Sequence, residues 1–347
     1  MNDKIKQIIK LGIFIGLSVI LLIIAFRDID LADVFAELKN AKYSWVLISL
    51  SAATLAYFSR ARRWILLIKP LGYTPSLSSA YHAVMTGYLF NLAAPRLGEL
   101  TKCVALGRKE KIPVERLFGT VIAERAIDLV SMFIILLIMI FAGGNIMNSF
   151  LKENVLEPLG ARLSDIFVSP VTTIAILLLF IVAVILMLTI YREWLLKVKL
   201  FARIGDIMKG IISGLKTFTR MKDKLEFVFH TVLIWTLYII MTWVVLYAIP
   251  ATSNLHFGDA IFLLVIGSLG MAAPVQSGIG AFHWIVSRGL TVVYGIKLKD
   301  GLAYATLSHE SQLILIAILG TISFYIILGR KKKLKDPKAE NIVYDKK

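Results

Sequence analysis

The sequence predicts an all-α integral membrane protein: six full spans plus two re-entrant helical hairpins, arranged as two inverted-topology repeats. Three observations predict it. Hydrophobic residues make up 58% of the 347 and mean hydropathy is +0.77, whereas soluble domains sit near about 45–50% apolar. Apolar runs recur at 11–26, 44–58, 129–142, 171–190, 231–249 and 311–328. Runs of roughly 17–25 apolar residues suit a helix crossing a core about 30 Å thick, and flanking mixed sequence extends the shorter ones. The formal charge of +16 gathers beside these runs, which fits membrane anchoring and argues against a nucleic-acid partner.

The first run follows the basic "MNDKIKQIIK" and ends in "IIAFRDID", with no A-x-A pattern. It therefore predicts an uncleaved first span. The next loop, "RDIDLADVFAELKNAKYS", is mixed and acid-rich and suits the outer side. "SRARRWILLIK" is strongly basic, as are residues 192–224, with nine basic and three acidic residues, and the tail from Arg330. Positive residues in short loops mark the inner side. Six crossings follow, at 8–26, 44–66, 117–142, 170–190, 227–249 and 303–328, with both termini cytoplasmic.

Two apolar stretches remain, 79–106 and 258–294. A single crossing at 79–106 would put the basic "GRKEKIPVER" outside while "SRARR" stays inside. A hairpin that enters and turns back keeps both inside, and two short crossings per stretch satisfy the same parity. The two stretches resemble each other: "GYLFNLAAPRLGELTK" and "GSLGMAAPVQSGIGAFH" each place an AAP triplet between glycines. Each half then reads span, span, hairpin, span. Three crossings per half is odd, so the second copy is upside down and the hairpin tips meet from opposite sides, as in transporters with a midplane site. The domain scheme is a first repeat over 1–145, an outer connector at 146–169, a second repeat over 170–330 and a basic tail at 331–347. An amphipathic segment, 194–220, lies on the cytoplasmic leaflet.

Pro95 and Pro274 break each hairpin, with Gly98, Gly278 and Gly280 beside them. A proline removes a backbone donor, and irregular backbone at membrane depth is tolerated only beside protein or a wet cavity. The charges follow the same logic. An unpaired Arg, Lys or Asp at mid-bilayer costs at least about 2.5–3.5 kcal/mol. Yet Arg96, Glu99 and Lys102 follow the first break, and Glu124, Arg125 and Asp128 lie inside the next span. Glu124 and Asp128 share a face at i, i+4, and Arg125 meets Asp128 at i, i+3. Three acids and three bases allow neutral pairing. The second half offers Gln276 and His283 on the hairpin, then His309 and Glu310 on the last span. Arg96, beside a helix break, suits an anion, because a guanidinium presents a planar fork of donors. Arg60 and Arg63 form a separate basic group at the inner end of the second span, read either as anchoring or as headgroup docking. Trp64, Trp194, Trp235 and Trp284 read as interface anchors or packing. Cys103 stands alone, the five histidines show no H-x-x-x-H pair, and no metal or cofactor is expected.

The pattern "RRWILLI…GY…NLAAPRLGELTK…GTVIAERAIDL" resembles a flippase-like family related to the transmembrane region of lysylphosphatidylglycerol synthases, the N-terminal part of the multiple peptide resistance factor. The matching motif is Asn91, Pro95, Gly98 and Glu99, followed by E-R-x-x-D at Glu124, Arg125 and Asp128. The family's second motif, Pro-Gly-Gly-x-Gly followed by an acid, is "PVQSGIGAFH" here. Gly278 and Gly280 match, and His283 stands near the usual acid, a departure that leaves the headgroup open. The resemblance implies translocation of a polar-headed, phosphate-bearing lipid in a bacterial-type cytoplasmic membrane. An aminoacyl-transfer domain is not expected after "VYDKK". The headgroup would sit between the hairpins on Asn91, Arg96 and Arg125, with the carboxylates offsetting charge. A polyprenyl phosphate, an aminoacylated phospholipid or a glycolipid all fit. Two other readings stay open: a headgroup or glycosyl transferase using Glu99 or Asp128 as base, and a scaffold for a lipid-modifying enzyme. The absence of G-x-x-x-x-G-K-S/T weighs against nucleotide chemistry. Arg96→Ala is expected to abolish lipid relocation in proteoliposomes while folding survives.

Overall fold

The structure is a computed structural model that describes residues 16, 19–23, 25–26, 31–94, 97–142, 221–273 and 275–329. Most of the expected first span, the outer connector, the span at 170–190, the amphipathic segment 194–220 and the basic tail lie outside the described residues. So do Pro95, Arg96, Trp194 and Pro274. Every described element is helical.

A short helix, α1 (Leu31–Lys39), occupies the loop expected on the outer side. Asp33 in its first turn and Lys39 in its last both complement the helix dipole. Lys299 reaches back to Asp33 and Glu37, tying α1 to the last helix. The long α2 (Tyr43–Ile68) follows, then α3 (Leu77–Ala93), α4 (Leu97–Glu110) and α5 (Val114–Ala142). Four more helices follow among the described residues: α6 (Lys224–Leu246), α7 (Phe257–Ala272), α8 (Ala281–Tyr294) and α9 (Leu298–Gly329).

Length separates these helices into two kinds. At 1.5 Å per residue, α2, α5, α6 and α9 are about 35–48 Å long and exceed the hydrocarbon core, whereas α3, α4, α7 and α8 reach only about 21–26 Å. Among the described residues, α6 and α9 are also apolar enough to cross a membrane. The long α2 and α5 are interrupted by charge, which marks them as the helices that need polar partners.

Packing pairs the halves in a regular way. The long first helices α2 and α6 cross each other, and each packs on the first arm of its own hairpin, α2 on α3 and α6 on α7. The hairpin arms pack together, α3 on α4 and α7 on α8. Each second arm meets the long helix after it, α4 with α5 and α8 with α9. Across the halves, α3 packs on α9, and α7 packs on α5. At the α2–α6 crossing Ala52 and Ala56 pack against Leu237, the small-residue contact that lets helices approach closely where lipid gives no hydrophobic drive.

The hairpins break where the AAP triplets stand: α3 ends at Ala93 and α4 begins at Leu97, while α7 ends at Ala272 and α8 begins at Ala281. Gly278 and Gly280 adopt φ of 75° and 83° in the second break, backbone that a side chain adopts only with strain. Gly98 behaves differently. It was expected as a break residue, but it lies inside the first turn of α4, where a Cβ would overlap the Gly87 carbonyl oxygen and the Asn91 side chain. Its role is close helix contact.

Candidate functional site

Two charged helices face each other because neither can face lipid. Arg60 and Arg63 share one face of α2 at i, i+3, and Glu124 and Asp128 share one face of α5 at i, i+4. Arg60 Nη2 donates to Glu124 Oε1 at 2.7 Å and to Asp128 Oδ2 at 2.8 Å, and Arg63 Nη2 donates to Asp128 Oδ1 at 2.6 Å. From α4, Lys102 Nζ donates to Glu124 Oε2 at 2.7 Å and lies 4.7 Å from the centre of the Trp64 ring. From α6, the Tyr238 hydroxyl accepts from Arg60 Nη1 at 2.9 Å. Arg125 Nε donates to Glu99 Oε1 at 2.9 Å. Four elements therefore meet at one ionic centre.

This arrangement corrects one expectation and adds detail to two others. Arg60 and Arg63 do not form a separate docking ring: both are buried, Arg63 completely, and both bind the carboxylates of α5. The residue between them that faces outward is Arg62, which pairs with Glu226 at 2.5 Å. Arg125 pairs chiefly with Glu99, and its distance to Asp128 is 4.0 Å, because its side chain turns toward α4. Of the two readings of Trp64, anchor or packing, it takes the second: it is a core residue whose Nε1 donates to Thr120 Oγ1 at 2.9 Å.

The balance of charge is uneven. Among the described residues, Arg60, Arg63, Lys102 and Arg125 face Glu99, Glu124 and Asp128, so four cations meet three carboxylates and one positive charge is left over. Arg63 carries part of that excess in its geometry, since its Nε and Nη1 are buried with no hydrogen-bond partner among the described residues. Leaving a buried donor unsatisfied costs about 1–3 kcal/mol, more for a charged group. Such a group is a natural place for an anionic acceptor.

The hairpin tips touch beside this centre. Gln276 Nε2, expected as a substrate ligand, donates to the carbonyls of Leu92 and Ala93. Ser277 Oγ donates to the Asn91 carbonyl at 3.3 Å. Asn91 Oδ1 accepts from the Gly98 N–H at 2.8 Å, so both ends of Asn91 serve the tip. His283, His309 and Glu310 come together apart from the ionic centre, on α8 and α9. His309 Nε2 donates to the Ser277 carbonyl at 2.9 Å. Sequence reasoning placed the charges but not their partners.

A groove runs alongside α5 and α6, with a volume of about 660 Å³. Ile127, Val130 and Ile134 line one wall and Val228, Val232 and Trp235 the other. Ile127 directly precedes Asp128 in the chain, although no charged residue of the ionic centre lines the groove.

A helical chain with apolar helices, broken hairpins in contact at their tips and a buried ionic centre is a membrane protein built around a polar interior. The chain belongs to the family described as the lysylphosphatidylglycerol synthase TM region, whose profile matches residues 7–320. It is also similar to the UPF0104 membrane protein MJ1595 of Methanocaldococcus jannaschii, at 24% identity over 342 residues that cover 96% of this chain and 99% of the relative. No solved structure matches the chain significantly.

Proposed function

We propose that the protein moves a lipid with an anionic, phosphate-bearing headgroup between the leaflets of the membrane. The observation that carries this reading is the excess positive charge of the ionic centre among the described residues, focused on two donors of buried Arg63 that have no hydrogen-bond partner there. A phosphate oxygen supplies the missing acceptor, and the apolar groove along α5 and α6 has the lining an acyl or prenyl chain needs. Family membership supports a membrane lipid as the substrate class. The carboxylates favour binding over catalysis: Glu124, Asp128 and Glu99 each already accept from at least one cation, so none stands ready as a general base.

The topology we infer is six full spans with α3–α4 and α7–α8 as re-entrant hairpins in two inverted repeats. The short hairpin arms, the AAP breaks and the matching contacts in the two halves support it. Under that topology both termini face the cytoplasm and the hairpins approach each other from opposite sides. Alternating access then needs only rocking of one half against the other. Arg96, next to the first break, completes the headgroup site in this reading, and a lipid-modifying enzyme is the natural partner.

The test is Arg63→Lys. The variant keeps the charge but loses the planar fork. Losing one or two bonds to a charged group, about 1.5–3 kcal/mol each, predicts at least about tenfold slower relocation. The measurement is leaflet transfer of a fluorescent phosphatidylglycerol in proteoliposomes, with thermal stability read in parallel. A variant that folds and transfers lipid at the original rate removes Arg63 from the site. Conversion of the headgroup without relocation would instead mark a transferase.

A further inference from the structure

We propose that His283, His309 and Glu310 bind a divalent transition-metal cation of the zinc class, fastening α8 to α9 behind the second hairpin tip. No local spacing announces this site, because its donors come from two helices. Among the described residues they form a converging group of metal-ligating side chains whose donor atoms all lie within 4.8 Å of one another. His283 and His309 are buried, and Glu310 is 41% exposed at its side chain.

Distances favour a four-coordinate ion. Zinc binds nitrogen and oxygen at about 2.0–2.2 Å, which sets the edges of a tetrahedron at roughly 3.3–3.5 Å. The Glu310 Oε1 to His309 Nδ1 distance is 3.2 Å, and Oε1 to His283 Nε2 is 3.5 Å. Two edges of the polyhedron are therefore already at the spacing a shared ion requires. The remaining edge, between the two rings, closes by a small rotation of imidazoles whose centres are 5.2 Å apart at 82°.

The hydrogen bonds fix the donor atom of His309. Its Nε2–H donates to the Ser277 carbonyl at 2.9 Å, which leaves Nδ1 as the atom that faces Glu310. Nδ1 and the carboxylate oxygen lie 3.2 Å apart, a pair that either a proton or a metal cation can bridge. Donation of the second ring N–H to a backbone carbonyl is also the usual outer support of a metal-bound histidine. The Gly280 N–H reaches His283 Nδ1 only at 3.4 Å, a contact that His283 gives up when its proton moves to Nδ1 and Nε2 ligates. Two imidazoles and one carboxylate are a donor set for zinc or its neighbours rather than for magnesium or calcium. The half-exposed side of Glu310 leaves the fourth position to water or to an anionic ligand.

The consequence is mechanical. The same Ser277 that accepts from His309 donates to Asn91 across the tip contact, so a bound ion holds the second hairpin in register with the first. The test uses the full-length protein in detergent, stripped with a chelator and titrated with zinc and with cobalt(II). We expect about one ion per chain, a four-coordinate cobalt absorption spectrum, and a zinc-dependent rise in melting temperature, as mass action requires. Glu310→Gln, a mild change on a half-exposed side chain, should weaken binding at least about tenfold. His309→Ala should abolish it. His256→Ala, at an exposed helix start elsewhere, should bind as the original does. A chain that takes up no saturable ion, with a proton shared between His309 and Glu310 instead, overturns the proposal. So does equal zinc affinity in Glu310→Gln, or loss of binding in His256→Ala.

Discussion

Glu124→Gln is expected to destabilise the protein by about 3–5 kcal/mol, the cost of breaking a buried ion pair by removing one partner. Glu124 accepts from Arg60 and Lys102 on two different helices and is almost completely buried. Its amide replacement leaves two desolvated cations facing a neutral group and raises the surplus positive charge of the centre from one to two. The contrast lies on the same helix as Arg60. Arg62 and Glu226 form an equally short pair, but their side chains are 37% and 34% exposed. Glu226→Gln should therefore cost no more than about 1 kcal/mol. Unfolding in detergent, followed by tryptophan fluorescence, measures both. A second variant checks the mechanism: adding Lys102→Met to Glu124→Gln removes one stranded cation and should recover part of the loss. If Glu124→Gln melts with the unaltered protein, or if Lys102→Met adds its full cost on top, the carboxylate is not the keystone of the ionic centre.

The acids of this centre were legible in the sequence because they interrupt an apolar helix. "GTVIAERAIDLVSMF" leaves Glu124 and Asp128 no solvent to face. Their partners were not legible. Arg60 and Arg63 satisfy the positive-inside pattern as well as they satisfy ion pairing, and composition cannot separate the two. One signal was available: "WILLI" continues the helix beyond Arg63 to Ile68, which sets the arginines more than a turn inside the helix end. The i, i+3 spacing of Arg60 and Arg63, with Arg62 off that face, carried the same information. The hairpin breaks were visible as AAP triplets flanked by glycines. Which glycine turns the chain and which lets helices touch was not visible, since both uses need only the missing Cβ. His283 and Glu310 meet in space without any periodic relation in the chain, so their conjunction required the packing of α8 on α9.

Gly98→Ala should cripple the first hairpin, although it changes neither charge nor polarity. The added methyl would overlap the Gly87 carbonyl oxygen and the Asn91 side chain. Backbone cannot swing aside as a flexible side chain can, so α3 and α4 must separate. Overpacking of this kind costs about 1–3 kcal/mol, and here the upper end is expected. The displacement is transmitted along α4: Glu99 is the next residue, and Lys102 lies one turn on. Their bonds to Arg125 and Glu124, at 2.9 Å and 2.7 Å, lengthen together, so the proposed lipid relocation should fall further than stability alone predicts. Gly119→Ala is the matched control. Gly119 lies within α5 with nothing among the described residues within 4 Å of the added Cβ, and alanine is favoured over glycine inside a helix by about 0.5–1 kcal/mol. That variant should melt at or above the temperature of the unaltered chain. Equal melting temperatures for Gly98→Ala and Gly119→Ala would show that α3 and α4 are not held at the contact on which the ionic centre depends.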